Sequence, residues 1–138
     1  MYLIAAGPGS PELITARGLH CLAQADVVVY DSRVHPRLLR YARRDAEQID
    51  LGAHAPRPLE TEAVCYLLAE KAREGRSVAH LTFGDHTGAE GGGPEAQFLH
   101  DQGISYEVVP GVPLAFAAPA YAGIALTSAA NASGTPGT

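Results

Sequence analysis

Glycine, proline and aspartate recur in this sequence where an apolar run stops. "YLIAA" (residues 2–6) runs into Gly7-Pro8-Gly9, Asp31 closes "DVVVYD", and Gly52 closes "AEQIDLG". Gly84-Asp85 closes "RSVAHLTFGD" and leads into a glycine-rich stretch containing Gly88, and Pro110-Gly111 closes "SYEVVPG", just before Pro113 and Leu114. Gly7 and Gly9 admit backbone angles closed to other residues, while Pro8 has a fixed φ and no N–H. Such a turn serves tight packing between a strand and a helix, or a surface that a ligand approaches closely. It is not the dinucleotide fingerprint, which needs G-x-G-x-x-G and an acidic residue roughly 20 positions on. "GAEGGGPE" is not a P-loop either, because no lysine follows its glycines. Phosphate cradling is therefore disfavoured. His54, His80 and His86 show no metal-ligand spacing with each other or with the cysteines, so no metal site is expected. His20, His35 and His100 read as surface residues on helices.

The elements that must position these residues alternate. Strands are predicted at 2–6, 26–31, 46–52, 76–85 and 105–111, the third being the weakest. Helices are predicted at 11–24, 35–43, 60–74, 94–102 and 113–123. Ser10 suits the N-cap of the first helix and Pro11 its first turn. Ile14, Gly18, Cys21, Leu22 and Ala25 form one apolar stripe at helical spacing, and Val64, Leu67 and Leu68 form the inner face of the third helix. The β-branched run "DVVVYD" suits a strand buried on both faces. This alternation predicts an α/β fold: an open, mostly parallel five-stranded sheet with helices on both faces. Ligands of such sheets bind outside the carboxyl ends of the strands. Every glycine- or aspartate-containing turn above falls at a carboxyl end, which favours a ligand-site wall over a set of packing turns.

The chain has 138 residues, enough for one domain with a real core, with 46% hydrophobic and 18% charged residues. Its formal net charge of -5 argues against nucleic acid as a partner. The cluster Arg37, Arg40, Arg43 and Arg44 reads as a solvated helix face, with an anion site as the minority reading. Cys21 and Cys65 sit in apolar helical patterns and read as small buried hydrophobes of a reducing compartment. No signal peptide or membrane-spanning run is evident, which fits a cytoplasmic protein with no membrane partner. The acceptor-like "NAS" at 131–133 is discounted. Residues 128–138 lack large apolar side chains and read as a linker or disordered tail after a domain at 1–127.

"LIAAGPGSPELIT", "ADVVVYDSRVHPRLL", "LTFGD" with its glycine-rich loop, and "GISYEVVPGV…AYAGIALT" follow the order and spacing of the tetrapyrrole methylases. Together these four motifs resemble the N-terminal domain of that family over residues 2–127. The resemblance implies use of S-adenosylmethionine and C-methylation of a tetrapyrrole such as uroporphyrinogen III. It also implies pairing as a homodimer. Pro8 matches the family's Gly-Pro-Gly loop beside the cofactor. Gly84, Asp85 and Gly88 fall on its glycine-rich cofactor loop, and Pro113 and Leu114 match its cofactor-contacting pair. Asp31 matches its proposed proton acceptor. A sulfonium methyl is already activated, so alignment is the main task, and a carboxylate can take the final proton as general base.

The sequence also departs from the family pattern. Ala5, Phe83 and His86 stand where the family has Gly, Gly and Pro. Ser32 and Ala53 stand where it has Arg and Lys, although Arg33 is next to Ser32, and Ser128-Ala129 stand for His-Arg. A polycarboxylate substrate calls for cations. The family's second domain is expected to be absent from this chain. That leaves a cut chain, a partner supplying the other half, or a single domain that has decayed. Asp31 remains a base or a turn residue, and Asp85 a cofactor contact or a loop cap. The alternative functions are a non-catalytic binding or dimerisation module, and a relative methylating RNA or protein.

Overall fold

Val27, Val28 and Val29 are each fully buried, and consecutive side chains of a strand point to opposite faces, so their strand is covered on both sides. The computed structural model describes residues 1–52, 60–85 and 93–126. Its strands are β1 (Tyr2–Ala5), β2 (Val27–Tyr30), β3 (Glu47–Asp50), β4 (Val78–Thr82) and β5 (Glu107–Val109). Its helices are α1 (Ala16–Gln24), α2 (Thr61–Arg73), α3 (Gly93–Asp101) and α4 (Leu114–Tyr121). The five strands form one sheet in the order β3-β2-β4-β1-β5, and every pairing is parallel.

Two apolar layers sandwich the sheet. On one face Ile4, Val28 and Leu81 pack with Cys21 and Leu22 of α1 and with Leu38. On the other, Val27, Val29 and Val78 pack with Val64 and Leu68 of α2. Both cysteines are buried and free, as expected of small hydrophobes. The predicted apolar stripe of α1 is buried from Ile14 to Ala25. Leu22 is fully buried between α1 and the sheet, so Leu22→Ala leaves a cavity as well as losing transfer energy. We expect it to lower unfolding stability by about 3 kcal/mol, read by denaturant titration.

Two helix predictions need correction. The first is not continuous over 11–24. Pro11–Leu13 is a 3-10 turn that ends at Ile14 in extended backbone, and Ser10 makes no side-chain cap bond. The cap of α1 is Thr15, whose hydroxyl accepts from the Gly18 N–H at 3.1 Å. The second helix, predicted at 35–43, is a 3-10 segment at Pro36–Tyr41, started by His35, whose ring nitrogen accepts from the Arg37 N–H. Pro36 suits the first turn, but the run is too short to propagate an α-helix. The strands are one to five residues shorter than predicted at their ends, because glycine, proline and aspartate there leave the ladder for turns.

Candidate functional site

An all-parallel sheet puts every strand's carboxyl end on one edge. β1 and β4 are neighbours, yet the chain leaves β1 toward β2 and leaves β4 toward β5, on opposite sides. Such a switch point opens a crevice between the two departing loops. Here the crevice floor is a backbone clasp. Gly84 N–H donates to Gly7 O at 2.8 Å and Gly7 N–H donates to Gly84 O at 3.2 Å. The two glycines hold φ of 85° and 75°, values that L side chains rarely adopt. A Cβ on Gly7 would lie 3.1 Å from the carbonyl oxygen of Leu13. Both residues must therefore be glycine for the β1 and β4 turns to meet.

Asp85 follows the clasp and is 8% exposed. Its Oδ1 accepts from the Gly111 N–H at 3.3 Å, tying the β4 turn to the turn after β5. Gly111 also presses against Ala5, with no room for a Cβ. The β1, β4 and β5 turns thus form one connected wall. Pro8 sits between Gly7 and Gly9 on it. Pro113, two residues past Gly111, is the extended N-cap of α4, and Leu114 opens that helix with its side chain exposed. Gly88 lies outside the described residues, as do His54 and His86.

Asp31 stands one strand away, at the end of β2. Its backbone N–H donates to Leu81 O at 3.1 Å, fastening the β2 turn to β4. Its carboxylate accepts from the Arg33 N–H at 2.9 Å and from the Arg33 guanidinium at 2.7 Å. Burial pushes the Asp31 carboxyl up, but the side-chain and backbone hydrogen bonds from Arg33, the Arg33 charge and His80 outweigh it and hold it below its ordinary value. A carboxyl with a lowered folded pKa stabilises the protein above the ordinary carboxylate range and loses that contribution as pH falls through the lowered value. Asp31→Asn should therefore flatten the stability-versus-pH curve below about pH 4, as followed by thermal melts.

Sequence reasoning missed two features. His80, fully inside the sheet on β4, places Nδ1 2.8 Å from Oε2 of buried Glu95 in the first turn of α3. The Arg33 guanidinium also lies over the Phe83 ring, 4.9 Å from its centroid. Neither pair is near in sequence; the only available signals were a histidine in an apolar strand and two departures from a family pattern. Of the arginine cluster, Arg43 pairs with Asp26 and Asp45. Among the described residues, no group of three or more His, Cys, Asp or Glu side chains gathers as metal ligands would, and no helix is long and apolar enough to cross a membrane.

The family model for tetrapyrrole (corrin/porphyrin) methylases matches residues 1–135. The chain belongs to the tetrapyrrole methylase family. It is 44% identical over 128 residues to a uroporphyrinogen-III C-methyltransferase of Priestia megaterium, covering 92% of this chain and 54% of that relative. It is 47% identical to a siroheme synthase of Chromobacterium violaceum, covering 92% of this chain and 27% of that relative. The tetrapyrrole methylase fold is matched in solved structures too. The uroporphyrin-III C-methyltransferase of Thermus thermophilus superposes with a TM-score of 0.80 at 40% identity, covering 92% of this chain and 54% of that one. A structure of a uroporphyrin-III C-methyl transferase from Thermus thermophilus complexed with S-adenyl homocysteine matches with a TM-score of 0.75 at 36% identity, covering 92% of this chain and 52% of that one. The chain thus spans about half the length of these methyltransferases. These findings agree with the family resemblance and with the parallel α/β sheet expected from the sequence.

Proposed function

We propose that this chain is the N-terminal portion of an S-adenosylmethionine-dependent C-methyltransferase acting on a tetrapyrrole such as uroporphyrinogen III. The observation that carries this reading is the Gly7–Gly84 clasp, with Asp85 beside it, at the switch point of a tetrapyrrole methylase sheet. The wall fits the cofactor in chemistry. Bare glycine backbone permits close approach, and the Asp85 carboxylate suits ribose hydroxyls and a cationic sulfonium. Pro8, Gly84, Asp85, Gly88, Pro113 and Leu114 would hold it. When bound, it supplies a methyl group already activated on sulfur.

The chain's own residues then have two tasks. The turns after β1, β4 and β5 fix the position of the methyl group relative to the substrate, converting an encounter into an aligned reaction. Asp31 accepts the proton that the methylated macrocycle sheds. Four large apolar side chains on and just after α4, Leu114, Phe116, Tyr121 and Ile124, are exposed. Their exposure supports a second body, the family's C-terminal domain, covering this helix; assembly as a dimer and a cytoplasmic location belong to the same proposal. The test is a methyl-transfer assay with that domain supplied in trans. Transfer should be detected, and Asp31→Asn should lower the rate by about 10²–10⁴-fold while S-adenosylhomocysteine still binds. No transfer with both halves present and cofactor bound would overturn the reading.

A further inference from the structure

The sequence has no arginine at 32 and no lysine at 53, where the family pattern carries cations, but it has Arg33, and a phenylalanine at 83 in place of glycine. These two departures meet in space. β2 and β4 run side by side, and the turns after them bring the Arg33 guanidinium over the Phe83 ring, 4.9 Å from its centroid. The same guanidinium hydrogen-bonds both carboxylate oxygens of Asp31, at 3.2 and 2.7 Å. Phe83 directly precedes Gly84 of the clasp, so the stack stands at the rim of the crevice. The Arg33 side chain is 55% exposed, against 23% for that of Asp31.

We infer that Arg33, seated on Phe83, recognises a carboxylate of the substrate and in doing so releases Asp31. This inference rests on the reading of the chain as part of a tetrapyrrole methyltransferase. The physical case has three parts. An ion pair with one partner half exposed is weak, so Asp31 is a holder that an incoming group can displace. A guanidinium stacked on a ring keeps its plane while it exchanges one carboxylate for another. The bidentate, charge-assisted geometry it offers Asp31 is also the geometry that recognises a substrate carboxylate. Without a substrate, Arg33 keeps the carboxylate ionised and occupied. With one, Asp31 is left in a partly buried place with its positive partner engaged elsewhere, where it accepts a proton more readily. The groups facing Asp31 are then His80 from β4 and Arg33 from its own turn.

The test is a fluorescence titration of the full chain with uroporphyrin III, a stable polycarboxylate surrogate, and with its uncharged methyl ester. Variants are Arg33→Leu, Arg33→Lys and Phe83→Gly. The expected result is that the acid binds and the ester does not. Arg33→Leu should weaken acid binding about tenfold or more, with lysine rescuing only part. Phe83→Gly should fall in between. Titration of S-adenosylhomocysteine should be unchanged in Arg33→Leu, which shows that the fold is kept. In the same variant, the NMR titration of the Asp31 carboxyl should move to higher pH, a readout that loss of simple packing would not produce. Arg33→Leu binding the acid within twofold of the wild type, or an unmoved Asp31 titration, overturns the role of Arg33. With the C-terminal domain supplied in trans, a wild-type chain that binds S-adenosylhomocysteine but not uroporphyrin overturns the tetrapyrrole reading itself, and does so before any variant is made.

Discussion

Asp85→Ala is expected to abolish calorimetrically detectable binding of S-adenosylhomocysteine while leaving the chain folded. The carboxylate sits almost wholly out of solvent, directly after the clasp, and holds the Gly111 N–H at 3.3 Å. Alanine removes a negative acceptor from the proposed cofactor wall and unties the β5 turn from the β4 turn in one step. A hydrogen bond to a charged group is worth about 1.5–3 kcal/mol, so losing one contact to the ligand costs about 10- to 100-fold in affinity. Loosening the wall adds to that. Asp85→Asn keeps the size and one acceptor oxygen but loses the charge, and should bind with intermediate affinity. Circular dichroism separates a lost site from a lost fold. Unchanged affinity in Asp85→Ala would remove this residue from the site.

The second large effect belongs to the buried pair His80–Glu95. Glu95→Ala is expected to lower unfolding stability by about 3 kcal/mol, and His80→Ala by a similar amount. Each truncation strands a buried polar partner in the apolar space between β4 and α3. The double variant should cost less than the sum, because neither orphan remains. Burial also pushes the neighbouring Cys65 thiol up, and the charges of Glu95 and Glu62 add to this, so thiol labelling reports the opening of α2, the helix that carries it. Additive effects in the double variant would mean the two side chains act independently. The pair anchors α3 to the strand that ends at the clasp.

The strands were readable because their signals are local. The three valines of β2 need no partner to declare a buried strand, and a parallel sheet follows once five such runs alternate with helices. The start of α1 misled for a local reason as well. Ser10-Pro11-Glu12 has the composition of a helix start, but Ile14 is extended and Thr15 supplies the cap. The residue types of the proposed wall were legible, since glycine, proline and aspartate at carboxyl ends favour a ligand site over packing turns. Its geometry was not, because strand order decides which ends are neighbours. Nothing in the chain order says that Gly7 meets Gly84, that Asp85 reaches Gly111, or that Arg33 rests on Phe83. All three contacts depend on the strand order β2-β4-β1-β5. The His80–Glu95 contact was hidden for the same reason, as a histidine inside an apolar strand has no local signature of its partner.

The central claim is that the β1–β4 switch point holds the cofactor, and amide NMR of the full chain during titration with S-adenosylhomocysteine tests it most directly. The account predicts saturable shifts concentrated at Gly7, Gly9, Gly84, Asp85, Gly111 and Leu114, with residues 40–44, at the end of the 3-10 segment and just after it, unmoved. Saturable shifts confined to that arginine segment, or no shifts at any ligand concentration, would contradict it.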